Sequence, residues 1–198
     1  MLTLYFAPGT SSFAVHIALY EVGATFESRP LSFHKREQRA PEYRAINPEG
    51  KVPTLVIDGR PLTEVAAILF YLARAYPKAN LLPNDPEGAA QAISWMSFIA
   101  STLHPARKSG VEHTKEVYGI ADKRLGDKQW ALGRYSIADI HLFRLYWRLK
   151  GALGLAPGAF PNLAAHHERL MAREAVKRAI AAETAIGYEL PEWFPAKR

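Results

Sequence analysis

The sequence predicts an α/β domain followed by an all-helical domain, and three observations support this fold class. Strand-like and helix-like segments alternate over the first eighty residues. A stretch with three prolines, residues 76–86, then has the composition of an interdomain linker. Beyond it the strand signals stop and apolar residues recur at helical spacing. We therefore predict an α/β domain over residues 1–76, a linker over 77–86 and a helical domain over 87–198.

Within the first domain the predicted order is βαβ followed by ββα, which is typical of a thioredoxin-like fold. The predicted elements are a strand over Leu2–Phe6, a helix over Ser12–Val22, a strand over Phe26–Leu31, a looser helical piece near Pro41–Ile46, a hairpin and a helix from Val65. In the hairpin, a mostly β-branched apolar run at residues 54–57 meets Asp58-Gly59, a strong two-residue turn signal. The return strand is expected around Arg60 to Leu62.

In the second domain, a helix is predicted from Glu87, another around Ile137 to Leu145, and one or two more over Leu163 to Ile180. Ser136 and Asp139 predict a capping box at the start of the second of these helices. The Ser136 side chain is expected to cap the backbone N–H three residues on, and Asp139 to reach back to the N–H of Ser136. We interpret this pair as structural rather than catalytic.

The composition is that of an ordinary globular protein, with 198 residues, 48% hydrophobic and 22% charged. The chain contains no cysteine, which excludes disulfides, thiolate metal sites and a cysteine nucleophile. The seven histidines lack the ligand spacing with carboxylates that a metal site requires, so no metal is expected.

The charge and hydropathy patterns bear on partners and location. The net charge of +6 divides into +2 over residues 1–80 and +4 over residues 81–198, without a basic stripe, so a nucleic-acid partner is not expected. No run approaches the roughly 20 apolar residues of a membrane span, and the first 28 residues lack the pattern of a signal peptide. We expect no membrane partner and a cytoplasmic location.

A turn at residues 47–50 leads to a strand that begins at Pro53, and this junction forms a candidate peptide-binding edge. A trans Pro53 would simply start the strand, because proline has no N–H to give to a ladder. If the Val52-Pro53 bond is cis instead, the backbone N–H and C=O of Val52 turn outward, where an extended ligand could pair with them.

Thr63 and Glu64 precede the helix from Val65. The first N–H groups and the positive dipole end of this helix suit a carboxylate, while Glu64 would attract an ammonium. The α-amino acid end of a small ligand carries both charges. Alternatively, Thr63 and Glu64 merely cap a buried helix.

Four stretches together resemble the cytosolic glutathione transferases, most closely the bacterial beta class, in family order and at family spacing. They are Leu4–Leu19, Asn47–Pro53, Leu62–Glu64 and Tyr135–Ile140. The resemblance implies a thioredoxin-like and a helical domain, glutathione as co-substrate, attack of its sulfur on an electrophilic small molecule, and a homodimer. A non-catalytic binding or regulatory member of the same fold is the alternative.

For the thiol chemistry, the resemblance points to Ser11, Ser12 and His104. Ser11 occupies the position of the beta-class cysteine and Ser12 that of the serine after it, so a hydroxyl would stabilise the thiolate and a mixed disulfide with glutathione is ruled out. Either serine could instead cap the first helix, and Tyr5 is an alternative hydroxyl donor. His104 matches the active-site histidine, which the resemblance implies is a hydrogen-bond partner or proton acceptor of the thiol. A polar residue at a proline-interrupted turn would look the same.

The resemblance also implies a set of glutathione-binding residues. They are Lys35, Val52, Pro53, Glu64, Val65, Ser97, Ser101, Thr102 and Leu103, some of which act across the dimer interface in the family. Lys35 would meet the glycine end of the tripeptide, although a lysine in this charged segment is usually just solvated. Val65 stands where the family commonly has a serine, and a charge-assisted hydroxyl contact of this kind contributes about 1.5–3 kcal/mol. This contact is lost unless another group replaces it, so the sequence leaves the glutathione affinity open.

Overall fold

The computed structural model describes residues 1–153, 155–156 and 158–190. Two compact units emerge. The first contains residues 1–79 and 174–190, and the second contains residues 80–173. The division after residue 79 falls inside the predicted linker. The helix over 174–186, which sequence order assigns to the helical domain, instead belongs to the first unit, while residues 191–198 lie outside the described part of the chain.

A four-stranded mixed sheet forms the centre of the first unit. Its strands are β1 (Leu2–Phe6), β2 (Phe26–Pro30), β3 (Thr54–Ile57) and β4 (Arg60–Thr63), in the spatial order β2-β1-β3-β4. β1 runs parallel to β2 and antiparallel to β3, and β3 pairs antiparallel with β4. Asp58 and Gly59 both take positive φ, as a type I′ hairpin requires. The predicted thioredoxin-like arrangement is confirmed.

Eight α-helices lie within the described residues. They are α1 (Ser12–Glu21), α2 (Pro41–Ile46), α3 (Val65–Ala75), α4 (Pro86–Phe98), α5 (Val111–Leu125), α6 (Ile137–Leu153), α7 (Pro161–Met171) and α8 (Glu174–Ile186). In the first unit, α1 packs against both α3 and α8. A π-helical turn over Ile99–Leu103 follows α4. None of the helices described is long and apolar enough to cross a membrane.

Each unit has its own apolar core. In the first unit, Phe6 of β1, Phe13 and Ile17 of α1, and Leu69 of α3 are fully buried. In the second unit, a cluster around Tyr118 includes residues from α4 to α7. Full burial of one such side chain contributes about 1.5–3 kcal/mol, so these cores fix the helices that carry the loops described next.

The predicted capping box forms at the start of α6, but only one of its two hydrogen bonds is the expected one. Asp139 Oδ2 accepts the backbone N–H of Ser136 at 2.8 Å, as predicted. The Ser136 hydroxyl, however, donates to the same carboxylate oxygen at 2.9 Å, because the Asp139 N–H is bonded to the Ser136 carbonyl. Asp139 Oδ1 also accepts the N–H of Ala131 at 2.7 Å and lies 3.0 Å from His166 Nε2.

Candidate functional site

The turn from β1 into α1 is fixed by hydrogen bonds that converge on one carbonyl. Ala7 O accepts the backbone N–H of Thr10 at 3.2 Å, the Thr10 hydroxyl at 2.8 Å and the Ser12 hydroxyl at 3.0 Å. Gly9 takes a φ of 72°, which a side-chain-bearing residue rarely adopts. The short turn that presents Ser11 therefore has a defined shape.

The two serines of this turn have different surroundings. Ser12 is fully buried, and its hydroxyl is bonded to Ala7 and lies 2.8 Å from the Thr10 hydroxyl. Ser11 is half-buried, and its hydroxyl donates to the carbonyl of Val52 at 2.9 Å. Ser11 occupies the N-cap position of α1, yet its side chain makes no cap hydrogen bond within the described residues. Of the two hydroxyls, that of Ser11 lies at the predicted peptide-binding edge.

Tyr43 and Asn47 hold the residues that flank the candidate peptide-binding edge. The Val52-Pro53 bond is cis. Asn47 Nδ2 donates to Lys51 O at 2.9 Å and to the Thr54 hydroxyl at 3.0 Å. The Tyr43 hydroxyl donates to Lys51 O and lies 2.8 Å from the Thr54 hydroxyl. These bonds hold the Lys51 carbonyl and the Thr54 side chain, which lie on either side of Val52 and Pro53.

Asn47 was predicted only as a turn residue, and no role was predicted for Tyr43. The Tyr43 side chain is 4% exposed although it lies in a short helix, α2, whose sequence is otherwise mostly exposed. Burial raises the pKa of its hydroxyl, which therefore stays protonated and can donate. A large aromatic residue with a polar tip just before a turn was the available signal.

The start of α3 places Glu64 and Val65 in different environments. Glu64 is the N-cap residue with a φ of 69°, and its exposed side chain makes no cap hydrogen bond among the described residues. The Val65 side chain is buried.

Lys51, just before the candidate edge, forms an ion pair with Glu49 at 2.7 Å. The hydrogen bond and charge of Glu49, with a smaller effect of Glu64, raise the pKa of the Lys51 ammonium. Opposite charges therefore stand side by side at this end of the edge.

Lys35 lies in a closed loop after β2, and its side chain is exposed. Its backbone N–H donates to the Ser32 hydroxyl at 3.1 Å, and the backbone N–H of Glu37 donates to Ser32 O at 3.0 Å. The N–H of Ser32 in turn donates to the Glu37 carboxylate at 2.7 Å. The loop is therefore braced internally.

The remaining predicted residues lie together in the second unit, at the end of α4 and in the π-helical turn. The exposed ones are Ser97, Ser101 and Thr102, and the Ser101 hydroxyl donates to Ser97 O at 2.8 Å. Leu103 is 1% exposed and belongs to the apolar core, so its side chain packs inside the unit. The π-helical spacing follows from the His104 N–H, which donates to Ile99 O at 2.9 Å.

His104 is a neutral imidazole in this environment. Burial lowers its pKa to about 3, and the positive charges of Arg144, Arg107 and Lys108 act in the same direction. Burial lowers the pKa of His141 on α6 to about 3 as well. A neutral ring can donate one hydrogen bond and accept another, but it is a weak proton acceptor at this pKa.

The Ser11 hydroxyl thus lies next to Val52 and Pro53. Glu64 directly follows β4, whose last residue, Thr63, pairs with Thr54 of the neighbouring strand β3. Among the described residues, no group of three or more His, Cys, Asp or Glu side chains could hold a metal ion.

Comparison with known proteins matches both halves of the chain to one family. Residues 1–74 match the glutathione S-transferase N-terminal domain and residues 66–174 the C-terminal domain. The glutathione S-transferase GstA of Escherichia coli O157:H7 is 33% identical, over 92% of this chain and 98% of its own.

Two solved structures are similar in sequence and in fold. A glutathione transferase homologue from Sulfitobacter, determined with bound glutathione, is 36% identical with a TM-score of 0.79, covering 94% of this chain and 98% of its own. The beta class enzyme of Sphingomonas chungbukensis is 35% identical with a TM-score of 0.82, covering 91% and 98%.

Proposed function

Because the chain belongs to the glutathione S-transferase family, we propose that it transfers the glutathione thiolate to electrophilic small molecules, in a detoxifying conjugation. The observation that carries the proposal is the Ser11 hydroxyl, which reaches the Val52 carbonyl at 2.9 Å. A glutathione cysteine whose backbone pairs with Val52 would have its thiol beside this hydroxyl and beside the start of α1.

Activation of the thiol is the chemical task that these groups share. A free thiol has a pKa of about 8.5, so little thiolate is present at neutral pH. Lowering this pKa by about two makes the thiolate the major form, which requires the protein to stabilise the thiolate over the thiol by about 2.7 kcal/mol. The Ser11 hydroxyl can rotate from Val52 O to donate to the sulfur, and the first N–H groups of α1 add the field of a helix N-terminus. The thiolate then attacks the electrophilic carbon, and the leaving group departs with its bonding electrons.

The tripeptide would be held along the edge that β3 extends. The N–H and C=O of Val52, next to Pro53, pair with its cysteine backbone. Glu64 attracts its α-ammonium, and the Val65 N–H meets the adjacent carboxylate. Lys35 meets the glycine carboxylate. Since Val65 has no hydroxyl, we propose that glutathione binds less tightly here than it would to a serine at this position.

The residues of the second unit contribute less directly to the proposal. Contacts to the tripeptide stay predictions for four residues, Ser97, Ser101, Thr102 and Leu103. Ser12 is proposed to shape the turn rather than to donate a hydrogen bond to the sulfur. His104 is proposed as a neutral hydrogen-bond partner of the thiol, because its lowered pKa disfavours the imidazolium. We further propose a cytoplasmic homodimer.

Calorimetric titration with glutathione tests the binding step, and turnover of an aryl halide tests the transfer. We expect millimolar or tighter binding and a turnover that Ser11→Ala lowers by roughly ten-fold or more, as the loss of one thiolate donor implies. Ser94→Ala serves as the control, since it removes a serine hydroxyl that accepts from Arg124 in the second unit. Absence of binding at millimolar glutathione would favour the non-catalytic alternative.

A further inference from the structure

Residues 187–190, which we call the C-terminal strap, follow α8 and contact the loop that carries Lys35. The Glu189 carboxylate accepts the Ser32 hydroxyl at 2.9 Å and the backbone N–H of His34 at 2.9 Å. Its side chain is 31% exposed, and the His34 ring lies 3.7 Å away. The strap therefore meets this loop through an acidic side chain that bonds both a hydroxyl and the backbone.

These contacts continue to Lys35 itself. The Ser32 hydroxyl, which donates to Glu189, accepts the backbone N–H of Lys35 at 3.1 Å. Glu37 braces the same loop from within through the N–H of Ser32. Glu189 thus completes, from outside the loop, the network that fixes where the Lys35 side chain leaves the backbone.

The strap also packs against the turn that carries Ser11. A Cβ added at Gly9 would lie 2.9 Å from side-chain carbons of both Tyr188 and Leu190, so a side chain at this position would have to displace them. Just before the strap, Glu183 of α8 accepts the Gly9 N–H at 2.6 Å. One short segment of chain therefore contacts both the Ser11 turn and the Lys35 loop.

We infer that Glu189 is a positioning residue for the glycine end of glutathione, holding the Lys35 loop at a fixed place relative to the Ser11 turn. The inference rests on the proposed function, because it assigns the ligand carboxylate to Lys35. The physical reason is preorganisation: a long lysine side chain on an unbraced loop must lose conformational freedom when it binds, and the braced loop has already lost part of it.

The test compares two ligands, glutathione and γ-glutamylcysteine, which lacks the glycine. Calorimetry on the wild-type protein should show roughly ten-fold tighter binding of glutathione, as expected for one charge-assisted contact. Glu189→Ala should reduce this ratio from about ten to about three, because Lys35 keeps its charge on a less well fixed loop, while leaving γ-glutamylcysteine affinity unchanged. Glu189→Gln keeps an acceptor oxygen and should retain most of the ratio.

The matched control is Glu168→Gln in the second unit, which removes another exposed carboxylate, paired with Lys150 at 3.1 Å, and should leave the ratio unchanged. Thermal melting establishes that each variant is folded. A ratio that Glu189→Ala leaves unchanged overturns the inference, and so does an equal loss for both ligands. A wild-type ratio of one overturns both the inference and the role of Lys35, whereas no binding of either ligand overturns the proposed function itself.

Discussion

Each unit contains a fully buried pair of a carboxyl group and an imidazole, and the two carboxyl groups bond different parts of the chain besides the imidazole. In the first unit, Glu183 Oε1 lies 2.9 Å from His16 Nδ1, joining residues 167 positions apart. In the second, Asp139 lies 3.0 Å from His166 and also holds the start of its own helix. The remaining oxygen of Glu183 goes to Gly9, in the turn of the proposed thiol site. The buried carboxyl group therefore contacts the turn of a proposed site in the first unit and holds the start of a helix in the second.

The largest expected effect comes from Asp139→Ala. This change removes the acceptor for the N–H and hydroxyl of Ser136, the N–H of Ala131 and the partner of His166. Breaking such a buried network costs about 3–5 kcal/mol, which urea denaturation would measure. We expect the folded fraction to keep its KM for glutathione. A stable variant with altered kinetics would contradict the division of roles between the two pairs.

Glu183→Ala should come next, with a loss of about 1–3 kcal/mol, because the buried N–H of Gly9 and the His16 ring lose their partner. Here the folded protein should also turn over more slowly, since the Ser11 turn is no longer held by α8. The measurement is the steady-state kcat of Glu183→Ala compared with that of Asp139→Ala. If both variants keep full turnover when folded, the contrast between the pairs disappears.

Tyr43→Phe sharpens the comparison within the first unit. The change removes the hydroxyl that bonds Lys51 O and Thr54 but leaves the ring in place. We expect a loss of roughly 1 kcal/mol in stability and a raised KM for glutathione with kcat nearly unchanged. Tyr118→Phe, which removes a hydroxyl bonded to Leu145 O in the second unit, is the control and should leave KM unaltered.

The smallest effect should appear as a pH dependence at the strap. The hydrogen bond from the His34 N–H holds the pKa of Glu189 below its ordinary value. A group whose pKa is lowered by folding stabilises the folded protein at pH values above its unfolded pKa, about 4.3 for glutamate. That contribution is lost as the pH falls through the pKa of the folded state. The difference in Tm between wild type and Glu189→Gln should therefore be present at neutral pH and vanish in acid. A difference that grows in acid would reverse the sign.

Local sequence signals predicted those parts of the fold that depend on neighbouring residues. Asp58-Gly59 predicted the hairpin because its two residues readily take positive φ, and Ser136 with Asp139 predicted the start of α6 because capping spans only three residues. The placement of α8 in the first unit was not predictable in this way. It depends on contacts such as Glu183 with His16, whose separation of 167 positions leaves no periodic trace in the sequence.

In the candidate site, too, some features were predictable from the sequence and others depend on contacts with distant residues. The resemblance indicated Ser11 and Val52, but only the structure distinguished the accessible hydroxyl of Ser11 from the buried one of Ser12. The support from Tyr43 and the neutral state of His104 depend on burial, which a residue's type does not reveal. Whether His104 assists the thiol stays a prediction.

The return of α8 to the first unit has a consequence for protein engineering. A fragment cut at the linker, residues 1–79, would lack the helix that packs on α1 and would leave His16 without its buried partner. The folding unit is therefore discontinuous along the gene, although the sequence reads as two consecutive domains. Chimeras that exchange the first unit between relatives should transplant residues 174–190 together with 1–79, because a single crossover point would separate elements that pack as one body.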